Sequence, residues 1–170
     1  MGDLSHRHVV LLGLMGSGKT SVGERVAARL GRQLVDGDVV LAGRTGGRTA
    51  AQVADADGIE ALHELEAGIA LDAVADPTPA VLGPAASTIE VDACLSAYAG
   101  HDVVWFTAPA AWLAERAVQK DHRPLLDDGD PVALFEAQLA VREPRARSIA
   151  GLVVDRSTTS KEEAADRICA

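Results

Sequence analysis

One short stretch, GLMGSGKT at positions 13–20, limits the fold of this chain more than any other feature of its sequence. It matches the pattern G-x-x-x-x-G-K-[ST] in full, and it lies between the apolar run VVLL and a segment with helical spacing. Glycines let the backbone curl so that several N–H groups face phosphate oxygens, and the helix that follows adds its positive end. The stretch therefore predicts a strand, a phosphate-binding loop and a helix, rather than a plain glycine-rich turn.

The motif assigns candidate residues to a nucleotide and its metal ion. Lys19 is expected to reach the β- and γ-phosphates, and Thr20 to place its hydroxyl on Mg²⁺. The expected ATP-binding residues of the loop are Gly13, Met15, Gly16, Ser17, Gly18, Lys19, Thr20 and Ser21. The motif leaves the acceptor of any reaction open, because many unrelated reactions use the same loop.

Composition narrows the class of partner. The chain has 170 residues, which suits a single domain over 1–170, and a formal net charge of -9, which argues against nucleic-acid binding through phosphate neutralisation. Its apolar runs fall short of the roughly 20 residues of a membrane helix. Cys94 and Cys169 form no CxxC pattern, so neither a disulfide framework nor a zinc site is indicated. We expect a cytoplasmic monomer that binds small molecules.

Apolar runs alternate with segments of helical spacing along the whole chain. Strands are predicted at 8–14, 32–38, 79–83, 102–107 and 151–156. Helices are predicted at about 18–30, 59–74 and 109–120, from about 132 onward and at 160–170, with short helices between 39 and 58. This alternation implies right-handed crossovers and a five-stranded parallel sheet flanked by helices, with ligands at the carboxyl ends of the strands.

Two carboxylates lie at the predicted end of the second strand. Asp36 and Asp38 are separated by one residue, so in extended geometry their side chains would point the same way. One carboxylate could hold a metal-bound water while the other accepts the proton of an attacking hydroxyl. The alternative is that DGD is a turn that caps the following helix.

Five stretches, in this order and spacing, resemble shikimate kinase. They are GLMGSGKTSVG, LVDGD, RTGGRTAAQV, ERAVQKDHRPLL and VREPRAR. The resemblance implies a P-loop NTPase of nucleoside-monophosphate-kinase type with a short lid at about 121–131. It also implies transfer of the γ-phosphoryl group of ATP to a ring hydroxyl of shikimate, with Mg²⁺.

The resemblance assigns roles to individual residues. It implies that Asp36 lies near Mg²⁺ and that Asp38 is the catalytic carboxylate that binds the acceptor hydroxyl. Arg123 would be a catalytic lid arginine that reaches the phosphates, Arg116 would pack on adenine, and Arg142 would pair with the acceptor carboxylate. A guanidinium fork suits phosphate and carboxylate alike, although Arg123 could also be an exposed loop charge without effect.

Two stretches depart from the family pattern, and both lie on the acceptor side. LHELE has His63 where the family has arginine, and imidazole lacks the permanent fork of guanidinium, although His63 and Glu66 could pair or simply share an exposed helix face. GPAAST keeps Gly83 but has Pro84 and Ala85 in place of two further glycines, which removes a backbone N–H and narrows the pocket. His63 and Gly83 remain expected acceptor-binding residues.

Three functions are compatible with these patterns. The leading prediction is an ATP-dependent shikimate kinase. The second is a kinase of the same fold that acts on another hydroxylated acceptor, such as a cyclitol, a quinate-like acid or a sugar acid. The third is a nucleotide-binding paralogue with little kinase activity, because likeness of fold does not by itself determine function.

Overall fold

The computed structural model describes residues 7–118 and 129–170. The strands are β1 (Val9–Gly13), β2 (Leu34–Asp36), β3 (Val81–Gly83), β4 (Asp102–Thr107) and β5 (Leu152–Asp155). The helices are α1 (Lys19–Leu30), α2 (Gly37–Arg44), α3 (Ala50–Asp57), α4 (Ile59–Ala75), α5 (Asp92–Tyr98), α6 (Ala110–Val118), α7 (Pro131–Arg147) and α8 (Lys161–Cys169), with a 3₁₀ turn at Ala86–Glu90. No helix in these two ranges is long and apolar enough to cross a membrane.

The predicted five-stranded parallel sheet is confirmed. The strand order is β2-β3-β1-β4-β5, and every neighbouring pair runs parallel. At the carboxyl edge, Asp36 is in register with Gly83 on one side of β1, and Gly13 at the end of β1 is in register with Phe106 on the other. This register brings the phosphate-binding loop, DGD and GPAAST to the same edge of the sheet.

Strand β1 lies at the centre of the core, and its five residues are all buried. Its side chains alternate, as they must in a strand, so Val10 and Leu12 face one layer of helices while Val9 and Leu11 face the other. The first layer contributes Tyr98, Leu113 and Phe135, and the second contributes Val22, Val26 and Ile168. An apolar run buried on both faces is typical of a central parallel strand.

The predicted extended geometry of DGD is wrong at its second aspartate. Strand β2 ends at Asp36, and helix α2 begins at Gly37, so Asp38 lies in the first helical turn. The Asp36 side chain caps this helix by accepting a hydrogen bond from the Asp38 N–H at 3.0 Å. The capping alternative is confirmed, because an aspartate at a helix N-terminus satisfies an N–H that has no partner inside the helix.

No local pattern predicts α5 or the 3₁₀ turn before it. The residue before α5 is Val91, whose side chain provides no cap, and the helix has only seven residues. Ser160 followed three residues later by Glu163 is the sequence pattern of a capping box, and the structure confirms it: Ser160 Oγ accepts from the Glu163 N–H, and the Glu163 carboxylate accepts from the Ser160 N–H. Most of the predicted lid at 121–131 lies outside the described residues, and α7 begins at Pro131, within one residue of the prediction.

Two histidines, His8 and His101, form hydrogen bonds with backbone groups at the amino edge of the sheet. His8 is buried, its Nδ1 accepts a hydrogen bond from the Ala80 N–H at 3.1 Å, and its Nε2 therefore carries the proton toward the Asp76 carbonyl. The His8 N–H donates to His101 Nδ1 at 3.2 Å, and the two rings lie 4.7 Å apart. The His101 ring thus accepts a hydrogen bond from the backbone of the residue that precedes β1, and this contact fixes the start of the strand.

This contact predicts acid-sensitive stability. Burial lowers the pKa of His101, the electrostatic influence of the neighbouring His8 and Arg7 lowers it further, and Asp102 opposes the change. Because the unfolded chain takes up this proton more readily, the free energy of unfolding should fall as pH drops below about 6.5. His101→Asn should show a shallower fall than wild type in urea unfolding between pH 7.5 and 5.5. His63→Asn, on an exposed helix position, is the control, and equal slopes for wild type and His101→Asn would contradict the prediction.

Candidate nucleotide and acceptor sites

The loop between β1 and α1 has a backbone that requires glycine at three positions. Gly16 and Gly18 have φ of 81° and 87°, a region that side-chain-bearing residues rarely adopt. A Cβ on Gly13 would lie 2.6 Å from the Ser17 Oγ, and one on Gly16 would lie 2.9 Å from the Leu113 carbonyl oxygen. The glycines of the motif therefore permit a tight loop that leads directly into α1.

Polar groups of this loop are arranged as a phosphate-binding loop requires. Lys19 Nζ donates to the Gly13 carbonyl oxygen at 2.6 Å, which holds the ammonium over the loop. Ser17 is buried, and its Oγ has no hydrogen-bond partner in the described part of the chain. A buried hydroxyl without a partner costs about 1–3 kcal/mol, so this atom fits a site that an anionic ligand completes.

The Thr20 hydroxyl and the Asp36 carboxylate meet at the start of α1. Thr20 Oγ1 donates to Asp36 Oδ2 at 2.7 Å, which places two hard oxygen ligands side by side. Residues 7–118 and 129–170 contain no group of three or more His, Cys, Asp or Glu side chains that could hold a metal by themselves. Magnesium bound with a nucleotide needs only one or two protein oxygens, since phosphates and water supply the rest, so the pair fits Mg²⁺.

A second group of charged side chains gathers beyond DGD. Glu66, on α4, is partly buried and interacts electrostatically with Asp38, His63 and Arg142. Burial raises the pKa of Glu66; the hydrogen bond from the Ser87 hydroxyl lowers it, as do His63 and Arg142, while Asp38 raises it further. The structure therefore brings together three of the residues expected at the acceptor. His63 is exposed, and among the described contacts no hydrogen bond joins it to Glu66.

Arg142 is held by two neighbours. Its side chain is only 12% exposed, its Nε donates to Glu90 Oε1 at 2.6 Å, and its Nη1 donates to Gln138 Oε1 at 3.1 Å. No hydrogen bond of its Nη2 occurs within the described part of the chain. Arg142 therefore has one nitrogen, Nη2, left for a ligand, and the Glu90 carboxylate partly neutralises the positive charge of the guanidinium.

The GPAAST stretch is ordered by a chain of hydroxyl contacts. Tyr98 donates to Thr88 Oγ1 at 2.9 Å, and Thr88 donates to the Ala85 carbonyl oxygen at 2.7 Å. A Cβ on Gly37 would lie 3.3 Å from both the Ala85 nitrogen and the Gly83 oxygen, so the two segments already lie close. This contact places Gly83 next to DGD.

One expected arginine, Arg116, and one unexpected arginine, Arg156, lie next to the phosphate-binding loop. The Arg116 guanidinium lies 4.3 Å from the centroid of the Trp112 ring, and Arg123 lies outside the described residues. Sequence reasoning did not single out Arg156, which follows β5, is 5% exposed and donates to the Ser17 carbonyl oxygen at 3.3 Å. It also missed Ser87 and Glu90, which lie in the 3₁₀ turn. No local pattern marks these residues, because their partners are distant in sequence.

Fold and site together define an ATP-dependent phosphotransferase of the P-loop class, with a nucleoside-monophosphate-kinase-like sheet. The family model for shikimate kinase matches residues 15–170. Shikimate kinase from Thermobifida fusca is 37% identical over 159 residues, which cover 94% of this chain and 91% of the relative. The chain belongs to the shikimate kinase family. Members of this family use ATP as a co-substrate.

Other relatives agree with this family. Shikimate kinase from Ruegeria pomeroyi is 30% identical over 166 residues, covering 97% of this chain and 84% of the relative. Shikimate kinase from Acinetobacter baumannii, solved in complex with shikimate, has a TM-score of 0.88 at 24% identity and covers 96% of this chain and 91% of its own. A gluconokinase from Sinorhizobium meliloti has a TM-score of 0.61 at 21% identity, covering 97% and 90%. These structural likenesses confirm the predicted fold.

The loop geometry predicts the effect of one methyl group. Gly16→Ala should weaken ATP binding and lower the free energy of unfolding by about 1–3 kcal/mol, because alanine would have to adopt a positive φ beside a backbone oxygen. Gly46→Ala has a comparable φ of 68° but open space around its Cβ, so it isolates the conformational cost. Thermal unfolding with and without ATP measures both effects, and an unchanged ATP-induced shift in Gly16→Ala would contradict the prediction.

Proposed function

We propose that this protein transfers the γ-phosphoryl group of ATP to a ring hydroxyl of shikimate, with Mg²⁺. The observation that carries the proposal is the position of Asp38 in the helical turn capped by Asp36, which also accepts a hydrogen bond from Thr20 at the end of the phosphate-binding loop. Glu66 and Arg142 both contact the 3₁₀ turn that follows Gly83, through Ser87 and Glu90. The relatives named shikimate kinase support shikimate as the acceptor. They do not favour another hydroxylated acceptor or a non-catalytic nucleotide-binding role.

On the donor side, the backbone of the loop would hold the phosphates. The residues are Gly13, Met15, Gly16, Ser17, Gly18, Lys19, Thr20 and Ser21. Lys19 would bind the transferring phosphoryl group. Arg116 would bind the adenine with one face of its guanidinium, while the other face packs on Trp112. The lid role of Arg123 stays a prediction. A single kinase domain over 1–170 with a lid at about 121–131 is likewise a prediction.

Thr20 and Asp36 would hold Mg²⁺. Bound at these two oxygens, the ion would supply positive charge that stabilises the negative charge of the transferring phosphoryl group. The protein's own contribution is to hold the two oxygens together, 2.7 Å apart, before any ligand arrives.

On the acceptor side, Asp38 would orient the attacking hydroxyl and accept its proton. Its backbone N–H is fixed by the Asp36 carboxylate, so the position of its carboxylate relative to the phosphate-binding loop is set by a single turn of helix. A carboxylate in hydrogen-bond reach of the hydroxyl acts as general base as the phosphoryl group transfers. Asp38 therefore serves both binding and proton transfer.

Arg142 would bind the shikimate carboxylate through its Nη2, with His63 and Gly83 lining the same pocket. This role is supported by the contacts of Arg142: its Nη2 makes no hydrogen bond within the described residues, while its Nε pairs with Glu90. Charge-assisted hydrogen bonds are about twice as strong as neutral ones, so replacing an arginine by His63 weakens carboxylate binding.

We also infer that the protein is a cytoplasmic monomer that binds neither nucleic acid nor membrane, in keeping with its acidic net charge.

Asp38→Asn should lower the kcat for shikimate phosphorylation by about 10²–10⁴, because the amide cannot accept the proton. The KM for ATP should change little. A coupled ADP-release assay measures both, and Asp55→Asn, an exposed position on α3, removes the same charge as a control. Shikimate-dependent turnover that survives Asp38→Asn would refute the role of this carboxylate.

His63→Arg should lower the KM for shikimate roughly tenfold, since a hydrogen bond to a charged group contributes about 1.5–3 kcal/mol. The kcat should change less, because the acceptor carboxylate does not react. His63→Gln, which adds no charge, serves as the control in the same assay. A higher KM in His63→Arg would show that the pocket is not arranged for a carboxylate at this position.

A further inference from the structure

A buried arginine lies beneath the phosphate-binding loop, at a position outside the motif. Arg156 follows the last residue of β5, at the carboxyl edge of the sheet, and is 5% exposed. Charged side chains are almost never buried unless they are paired. The environment of this guanidinium therefore calls for a physical explanation.

Within residues 7–118 and 129–170, every hydrogen bond of the Arg156 side chain goes to a backbone oxygen. Nε donates to the Ser17 carbonyl at 3.3 Å, and Nη1 donates to the Ser160 carbonyl at 3.0 Å and to the Thr159 carbonyl. The guanidinium thus joins the phosphate-binding loop to the connection between β5 and α8. A Cβ built on Gly18 would lie 3.8 Å from Nη2, so the remaining nitrogen also faces this loop.

No carboxylate in the described residues forms an ion pair with Arg156. The neighbouring Asp155 uses its Oδ1 to accept hydrogen bonds from the Ser157 N–H and hydroxyl. Arg116 interacts with Arg156 as a like charge, and burial together with Arg116 lowers the pKa of Arg156. The Phe106 ring centroid lies 5.9 Å from the guanidinium carbon of Arg156. A buried cation without a counter-ion costs several kcal/mol, so its presence favours binding of an anion nearby.

We propose that Arg156 is a nucleotide-positioning residue: its buried charge is neutralised by the polyphosphate of ATP, and its hydrogen bonds fix the loop that holds this polyphosphate. The ligand class is therefore nucleoside di- and triphosphates. Two buried polar groups at this loop point to the same ligand: the Ser17 hydroxyl of the loop itself, and the Arg156 guanidinium that donates to the Ser17 carbonyl and has no ion pair within the described residues. The inference concerns nucleotide binding alone and holds whichever acceptor the protein uses.

The test compares ligands that differ in charge. Isothermal titration calorimetry of the full-length protein would measure the Kd of ATP, ADP, AMP and adenosine, with Mg²⁺ and no acceptor, for wild type and three variants. Arg156→Gln and Arg156→Met remove the charge, and Arg156→Lys keeps it. Arg156→Met also removes the cost of burying a cation, which favours a folded protein if the glutamine variant is unstable.

We expect Arg156→Gln and Arg156→Met to weaken ATP binding about tenfold, because two charges several ångströms apart still interact strongly in a protein interior. The loss should shrink from ATP to ADP to AMP and be absent for adenosine, and Arg156→Lys should restore most of the affinity for ATP. Arg167→Gln removes an equal charge from an exposed position on α8, where its Nη2 donates to the Val153 carbonyl. This control should leave all four Kd values within twofold of wild type.

Two results would overturn the proposal. An equal loss for ATP and adenosine would show that Arg156 supports the fold of the loop without acting on ligand charge. An unchanged Kd for ATP in Arg156→Gln or Arg156→Met would show that the buried charge does not act on the nucleotide. Both results would leave the acceptor assignment intact, because the assay contains no acceptor.

Discussion

The Asp36 carboxylate is the interaction on which the geometry of this protein depends. One of its oxygens accepts the Thr20 hydroxyl at 2.7 Å, and the other accepts the Asp38 N–H at 3.0 Å. It thereby fixes the first turn of α1, which follows the phosphate-binding loop, against the first turn of α2, which carries the proposed base. Asp36 on β2 is also in register with Gly83 on β3, so the same residue lies next to the proposed acceptor side. A single side chain thus sets the distance between donor and acceptor groups.

Electrostatics differ sharply between the two halves of the site. On the donor side, Lys19, Arg116 and the buried Arg156 surround a loop that also presents backbone N–H groups, so positive charge dominates. The acceptor side combines Arg142 and His63 with the carboxylates of Asp38, Glu66 and Glu90. We therefore expect ATP binding to tolerate sequence change on the acceptor side, whereas the proposed binding of the shikimate carboxylate depends on Arg142, which Glu90 already contacts.

Local patterns predicted the parts of the structure that local physics determines. The strand at Val9–Gly13, the loop and α1 follow from apolar spacing and glycine, and the capping box at Ser160 follows from helix-end chemistry. The prediction for Asp38 was wrong because aspartate and glycine are common both where a strand ends and in the turn that begins a helix. The sequence DGD is therefore compatible with either geometry. The positions of Ser87 and Arg156 could not be predicted, since each depends on a contact between segments far apart in sequence.

The central claim is that the γ-phosphoryl group passes to a hydroxyl of shikimate. Phosphorus-31 NMR of the protein with ATP, Mg²⁺ and shikimate tests it directly, because a phosphate monoester, ADP and inorganic phosphate give separate resonances. The account predicts that the γ-phosphorus signal of ATP is replaced by a monoester signal in equal amount with ADP, and only when shikimate is present. Conversion of the γ-phosphorus to inorganic phosphate with no monoester signal would contradict it.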